Sequence, residues 1–332
     1  MLTRISVFRR LIELGTLTIA LASLATLSYA QPRAFPERGV RIIVPFPPSG
    51  VVDISARILA KELADLWGQP VVADNRPGAA GVIAGDAVAK AAPDGYTLLL
   101  ADDGLLATVP LVQDKMPYDT LTDLVPIAMI GGFHYVLIAN AALKAKSVAD
   151  LVAAAQASPG KMSYATNGIG GTQHLTWERF QRAANMKLNH VPYKGAAPAL
   201  QDVLAGHVPM MFAAVATAFP FFKDGRVVPI ATGGQTRSPT LPELPTLIES
   251  GYAGLEIVAW MAIMAPKGTP AALVDRISRD LNKVTESDVY KSGLAQRGTE
   301  SRTSTPQVLA DRIREEFKRN EALVKTLAIK SN

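Results

Sequence analysis

Short apolar runs alternate with helical periodicity along most of the chain, and no other feature restricts the fold as strongly. Residues 40–44 read as a strand, 54–66 as an amphipathic helix with Ile54, Ile58, Leu59 and Leu63 on one face, and 71–73 as the next strand. Residues 81–91 then read as a helix and 96–100 as a strand. The pattern returns with helices at 148–157, 172–184 and 196–205 and strands at 162–165, 189–191 and 208–213. Strands separated by helices argue for parallel α/β sheets, and the recurrence implies two similar halves. The long apolar runs 127–140 and 257–266 are read as strands that carry the chain from one half to the other and back. From Pro270 onward the sequence is largely helical, most clearly over 271–284 and 306–327.

With 332 residues, 48% of them hydrophobic, the chain can bury a core in each of two ordinary domains. The formal net charge of +5 falls to +3 without the first thirty residues, which hold Arg4, Arg9 and Arg10 against Glu13. No Lys/Arg cluster remains to form a nucleic-acid face. The first thirty residues themselves read as a secretory signal: a basic start, an apolar stretch over 17–27, and Ser28-Tyr29-Ala30 with small residues where a signal peptidase reads. Cleavage is expected after Ala30. The run is too short and too interrupted for a membrane span of about 20 apolar residues. The Arg9-Arg10 pair leaves Sec and twin-arginine export both open. The absence of cysteine excludes a lipid-anchored amino terminus and a disulfide framework. A soluble periplasmic protein is the expectation.

Three strand-to-helix junctions carry unusual chemistry: Phe46-Pro47-Pro48-Ser49-Gly50, then Asn75-Arg76-Pro77-Gly78-Ala79-Ala80-Gly81, and in the other half Asn167-Gly168-Ile169-Gly170-Gly171-Thr172. Each ends where a helix begins. A helix start offers unpaired N–H groups and the positive end of the dipole, and glycines let a ligand approach the backbone, so anions are the natural guests. Taken singly, such loops are ordinary turn punctuation. Nucleotide readings lack support: no Lys-Ser or Lys-Thr follows a glycine at Walker spacing, and Gly168-Ile169-Gly170 lacks the third glycine of the dinucleotide pattern.

The segments RIIVPFPPSGVVDISAR, VVADNRPGAAGVIAGDAVAKAAPDGYTLL, MSYATNGIGGTQHL, HVPYKGAAPALQDVLAGHVPMMF, LPELPTLIESGYAGLE and APKGTP, in that order, resemble the signature segments of the Bug-type solute-binding receptors of tripartite tricarboxylate transporters. The likeness extends over nearly the whole mature chain. It implies a type II periplasmic binding protein, a Venus flytrap of two α/β domains, each a mixed sheet flanked by helices. Domain 1 would comprise 31–132 and 257–332, and domain 2 would comprise 133–256. Such a receptor closes on a small carboxylate, di- or tricarboxylic or aromatic, and delivers it to two integral-membrane permease subunits. It would act as a monomer, without cofactor and without nucleic acid. A receptor that reports its ligand to a membrane sensor has the same sequence features, and the alternative stays open.

Carried over position by position, the resemblance implies ligand contacts at Phe46, Ser49, Gly50 and Asp53, at Ala79, Ala80 and Gly81, and at Asn167, Gly168, Gly171, Thr172, Gln173 and His174. Backbone N–H groups of the three loops would hold the carboxylate, directly or through water, and Phe46 would pack on the carbon skeleton. Asp53, just inside the first helix, is expected to accept hydrogen bonds from loop N–H groups, and Thr172 to supply a cap oxygen and a hydroxyl contact. Ser49 and Ala80 stand where the family usually has glycine, and Ala213-Ala214 follows Phe212 where many relatives have an Asp. That last change argues against a cation-bearing ligand. Which of Asp102, Asp103, Phe133, His134, Phe219 and Trp260 reach the pocket is left open. No serine has a Gly-x-Ser-x-Gly elbow, and His134, His174, His190 and His207 show no metal-ligand spacing, so neither a catalytic nor a metal site is expected.

Overall fold

The first half is built by a strand–helix–strand path in which β1 (Val40–Val44), buried except at Arg41, takes parallel partners on both edges. α1 (Val51–Trp67) leads to β2 (Val71–Asn75) on one edge, and α2 (Val82–Ala89) leads to β3 (Thr97–Asp102) on the other. α1 starts three residues before the sequence periodicity suggests, because Gly50 takes the extended N-cap conformation and Asp53 falls in the first turn, where a negative charge suits the dipole. It stops at Gly68, whose left-handed backbone (φ 64°) returns its N–H to the Ala64 carbonyl. Two short helices follow, α3 (Asp103–Ala107) and α4 (Val109–Val112). The computed structural model describes residues 35–327 other than 239 and 297. From Arg38 onward they form one compact unit, and the signal-sequence reading lies outside the described residues.

β4 (Leu124–Asn140) is a single strand of 17 residues, roughly 55 Å long. Its first part pairs antiparallel with β9 (Val258–Pro266) and with the short β10 (Thr299–Ser301). Its last part, Tyr135 onward, pairs with β7 (Met210–Ala214) and β8 (Val227–Thr232). Between β4 and β8 the second half runs through α5 (Val148–Ala157), β5 (Ser163–Thr166), α6 (Thr172–Ala183), β6 (Asn189–Pro192), α7 (Ala196–Ala205), β7 and α8 (Val215–Ala218). After β9 come α9 (Ala271–Glu286), α10 (Asp288–Ala295), β10 and α11 (Pro306–Leu327). The strand order is β2-β1-β3-β9-β4-β7-β5-β6, with β8 and β10 also on β4.

Between the named strands, parallel pairing is found in β2-β1-β3 and in β7-β5-β6, and the strands between them are antiparallel, so the sheet is mixed. Of the two long apolar runs read as crossings, β4 pairs with strands on both sides of it, β9 and β10 in its first part and β7 and β8 in its last, whereas β9 pairs with β3 and β4. β8 and β10 escaped the sequence reading for separate reasons. β8 contains Pro229, which normally demotes a strand, and it sits at a register shift in its pairing with β4. β10 has only three residues.

Where β4 bulges, side chains from the last quarter of the chain replace the missing ladder partners. Met129 pairs with Ala262 and Gly131 with Met261, leaving Ile130 as the extra residue. The Met129 N–H donates to Ser304 Oγ at 2.9 Å, and the Ile130 carbonyl accepts from the Tyr290 hydroxyl at 3.1 Å. Gly131 is required beside the bulge, because a Cβ there would stand 2.9 Å from the Glu300 carbonyl oxygen. Tyr290 is fully buried, so losing its hydroxyl orphans a buried carbonyl. Tyr290→Phe is expected to lower the unfolding free energy by about 1–2 kcal/mol in urea titrations; an unchanged midpoint would refute this role.

Candidate ligand-binding site

The first loop is held by one carboxylate. Asp53 is 2% exposed, and its Oδ2 accepts from the Ser49 N–H at 3.0 Å and from Arg57 Nε at 3.1 Å. Its Oδ1 accepts from Asn75 Nδ2 at 2.8 Å and pairs with Arg57 Nη2 at 2.9 Å. Asn75 Nδ2 also donates to the Phe46 carbonyl at 2.9 Å, so the end of β2 fixes the loop after β1. Burial opposes ionisation of Asp53, but the bonds from Arg57, Asn75 and Ser49 outweigh it and hold the carboxyl below its usual value. Ser49, where the family usually has glycine, adopts a left-handed backbone (φ 73°).

The second loop makes the same demand twice, with Ala79 at φ 46° and Ala80 at φ 51°. Each such alanine costs about 1–2 kcal/mol of backbone strain. Ala79, Ala80 and Gly81 do not line the cavity between the halves. Ala80 instead faces the third loop, so that a Cβ on Gly168 would stand 3.0 Å from its methyl group. In the third loop the Asn167 N–H donates to Gln173 Oε1 at 2.8 Å, and the Gly170 N–H donates to His174 Nδ1 at 3.1 Å. Thr172 departs from the expected cap role. The N-cap is Gly171, and the Thr172 hydroxyl donates across the cleft to Asp103 Oδ2 at 2.6 Å.

A cavity of about 30 Å³ lies where the halves meet, space for about two waters. Three helix starts converge on it: Gly50, Val51 and Val52 of α1, Ala196 and Ala197 of α7, and Gln173 of α6 with Asn167 ahead of it. Phe46, Pro47, Phe133, Tyr135, Ala214, Thr217 and Asp102 complete the lining. It adjoins a chamber of about 320 Å³ with which it shares Gly50, Val51, Ala196, Ala197 and Thr217, and to which Ser49 contributes. Of the residues expected at the ligand, Phe46, Gly50, Asn167 and Gln173 line the cavity, and Ser49 lines the chamber. Asp53, Ala79, Ala80, Gly81, Gly168, Gly171, Thr172 and His174 do not; they shape the loops or join the halves. Among the residues left open, Asp102 and Phe133 line the cavity. His134 bonds Glu300, Trp260 is fully buried with its Nε1 donating to Glu316, and Phe219 is on the surface.

The model of the tripartite tricarboxylate transporter family receptor matches residues 55–329. The chain belongs to that family. Its solved relatives include Rpa4515 of R. palustris with adipate, 34% identical with a TM-score of 0.86 over 89% of this chain and 99% of that one. The periplasmic binding protein BugD is 32% identical, with a TM-score of 0.84 over 90% and 100%. MatC from Rhodopseudomonas palustris, with bound malate, is 29% identical with a TM-score of 0.83 over 87% and 100%. The architecture is accordingly that of a two-domain periplasmic binding protein. Among the described residues no helix is long and apolar enough to cross a membrane.

Under the third loop this family receptor carries a stack of aromatic rings. His174 lies on His190 with centroids 3.9 Å apart, His190 on Tyr164 at 5.0 Å, and Tyr164 against Trp177 at 4.8 Å. Thr166 Oγ1 contacts His190 Nε2 at 2.6 Å and bonds the Gly168 carbonyl at 2.9 Å, tying the stack to the loop. Burial lowers His174 to about 4, and burial together with the charge of His174 lowers His190 to about 3. On the opposite wall, burial and then the charges of Asp102 and Glu316 push Asp103 well above the usual carboxyl range.

Two outcomes follow for this receptor. Below pH 6.5 the unfolded chain takes up protons that folded His174 and His190 refuse, so their contribution to stability is complete above pH 6.5 and is lost as pH falls toward 4. Urea midpoints at pH 7 and 5 are expected to differ less in His174→Gln than in the parent, a comparison that leaves the opposing effect of Asp102 and Asp103 unchanged. At Gly104, in α3, a Cβ would stand 3.0 Å from Thr172 Oγ1 and 3.1 Å from its backbone N. Gly104→Ala should therefore push Thr172 away from Asp103 and weaken ligand binding by calorimetry, an effect that the gain of about 1 kcal/mol in helix propensity does not remove.

Proposed function

We propose that this chain is the extracytoplasmic receptor of an uptake system, working in the periplasm, which captures a small carboxylate and hands it to two integral-membrane permease subunits. The observation that carries this reading is the convergence of the α1, α6 and α7 starts from both halves on one cavity whose lining, among the described residues, holds no lysine or arginine. Helix starts supply oriented N–H groups and a positive dipole end without a mobile side chain, which suits a carboxylate that must be bound and then released. The adipate in Rpa4515 and the malate in MatC support the same class of ligand.

In this reading domain 1 comprises 31–132 and 257–332, domain 2 comprises 133–256, and the hinge bends β4 near Phe133 to Tyr135. Phe46, Gly50, Asn167 and Gln173 contact the ligand. Asp53 and Asn75 shape the first loop, and the Thr172–Asp103 bond forms as the domains close. The inner cavity alone is too small for a dicarboxylate, so binding requires the halves to part and close again around it or the ligand to extend into the outer chamber.

A thermal-shift screen of the purified protein against mono-, di- and tricarboxylates, aromatic acids, amino acids, sugars and nucleotides tests this. A carboxylate at a hundred times its dissociation constant should add about 2.7 kcal/mol of stability. Stabilisation by sugars or nucleotides alone would overturn the reading.

A further inference from the structure

The chemistry of the cavity wall points beyond a plain carboxylate. Asp102 is the one residue lining the cavity, among those described, that carries a charge at neutral pH, and it is 5% exposed. Its Oδ1 accepts from the Leu105 N–H at 2.9 Å, capping α3, and its own amide is the other donor to the carboxylate. Among the described residues no lysine, arginine or histidine lines the cavity to offset it, and its chain neighbour Asp103 is a second carboxyl rather than a cation. A buried carboxylate without a cationic partner is costly, whereas one that meets a cation on binding gains both the pair and the release from that cost. The cap does not explain the charge, because asparagine caps a helix as well as aspartate does.

Resting on the carboxylate reading of this site, we propose that Asp102 selects carboxylates that also bear a positively charged nitrogen. The carboxylate lies on the starts of α1 and α7, and the nitrogen lies against Asp102 among the rings of Phe46, Phe133 and Tyr135, which line the same cavity. Aromatic rings add cation–π attraction to a desolvated ammonium, and more so to a quaternary one that donates no hydrogen bond. Phe133 and Tyr135 follow each other on one face of β4 and meet edge-on with centroids 5.1 Å apart. A dicarboxylate in the same pose would bring a second negative charge against Asp102 in a poorly solvated space. Burial raises the Asp102 carboxyl to about 6, which still leaves it ionised at neutral pH. Asp102 thus supplies, from β3, a charge in place of the one that many relatives carry after the position of Phe212, where this chain has Ala213-Ala214.

The test is calorimetry on the full chain at pH 7.5 with length-matched probes. β-Alanine, 4-aminobutyrate and their N-trimethylated forms are set against propionate, butyrate, succinate and glutarate. The expected result is that at least one nitrogen-bearing acid binds ten times or more tightly than its matched acid. Asp102→Asn, which keeps the cap and should keep or raise the melting temperature, then removes at least tenfold of that affinity. Tighter binding of the trimethylated probe assigns the recognition chiefly to the rings, and tighter binding of the primary amine assigns it to the carboxylate. If dicarboxylates bind the parent protein more tightly than every nitrogen-bearing probe, or if Asp102→Asn leaves the affinity unchanged, the inference is wrong while the carboxylate reading stands. Binding by no acid of either kind, in this set or in the wider screen, overturns both.

Discussion

The buried carboxylate of Asp53 is the point on which the first half's side of the cleft depends. It takes hydrogen bonds from the loop after β1, from the second turn of α1 and, 22 residues on, from the end of β2, so three segments share one acceptor. An acidic residue beneath a surface proposed to take anions looks contradictory. Arg57 resolves it by pairing with Asp53 on the outer side, which leaves the N–H groups at the start of α1 as the near electrostatic feature. With those donors fixed in advance, binding need not spend free energy on ordering the loop.

The other side of the cleft is organised by packing. The third loop rests on a pile of rings, and two histidines, His174 buried and His190 half-buried, hold its peptide groups through Gly170 and Thr166. Neutral imidazole is the working form there, since the Gly170 N–H needs an unprotonated nitrogen. The two sides therefore reach a similar end, a backbone fixed before the ligand arrives, by an ion-paired carboxylate in one half and by stacked aromatic surface in the other.

Much of this was legible in the sequence. The alternation of strands and helices, the position of the long strand and the three loops at helix starts all follow from periodicity and turn chemistry. Two substitutions were legible as oddities only: Ser49 and Ala80 occupy places where the backbone is left-handed, which is why glycine would be the ordinary choice. Hidden were the features set by distant contacts. Nothing local marks Asp102 and Phe133 as cavity residues, or tells Asp102, facing the cavity, from Asp103, which faces Thr172. The second loop has the composition of a ligand cradle, yet it meets the opposite half through Ala80. Short elements fixed by partners far along the chain, β8 and β10 above all, lack a periodic signal of their own.

β4 also bears on how the molecule can be rearranged. The chain runs out along β4 and returns where the Gly233 N–H donates to the Tyr135 carbonyl at 2.9 Å and the Ile257 N–H donates to the Gly233 carbonyl at 2.8 Å. The ends of the intervening segment thus both bond Gly233, and His134 pairs with Val258 beside them, the geometry of an inserted module rather than of two pieces strung in series. A module joined in this way can be exchanged between relatives through a pair of adjacent splice points. Cleft walls of different chemistry can then be combined on one scaffold without redrawing the sheet.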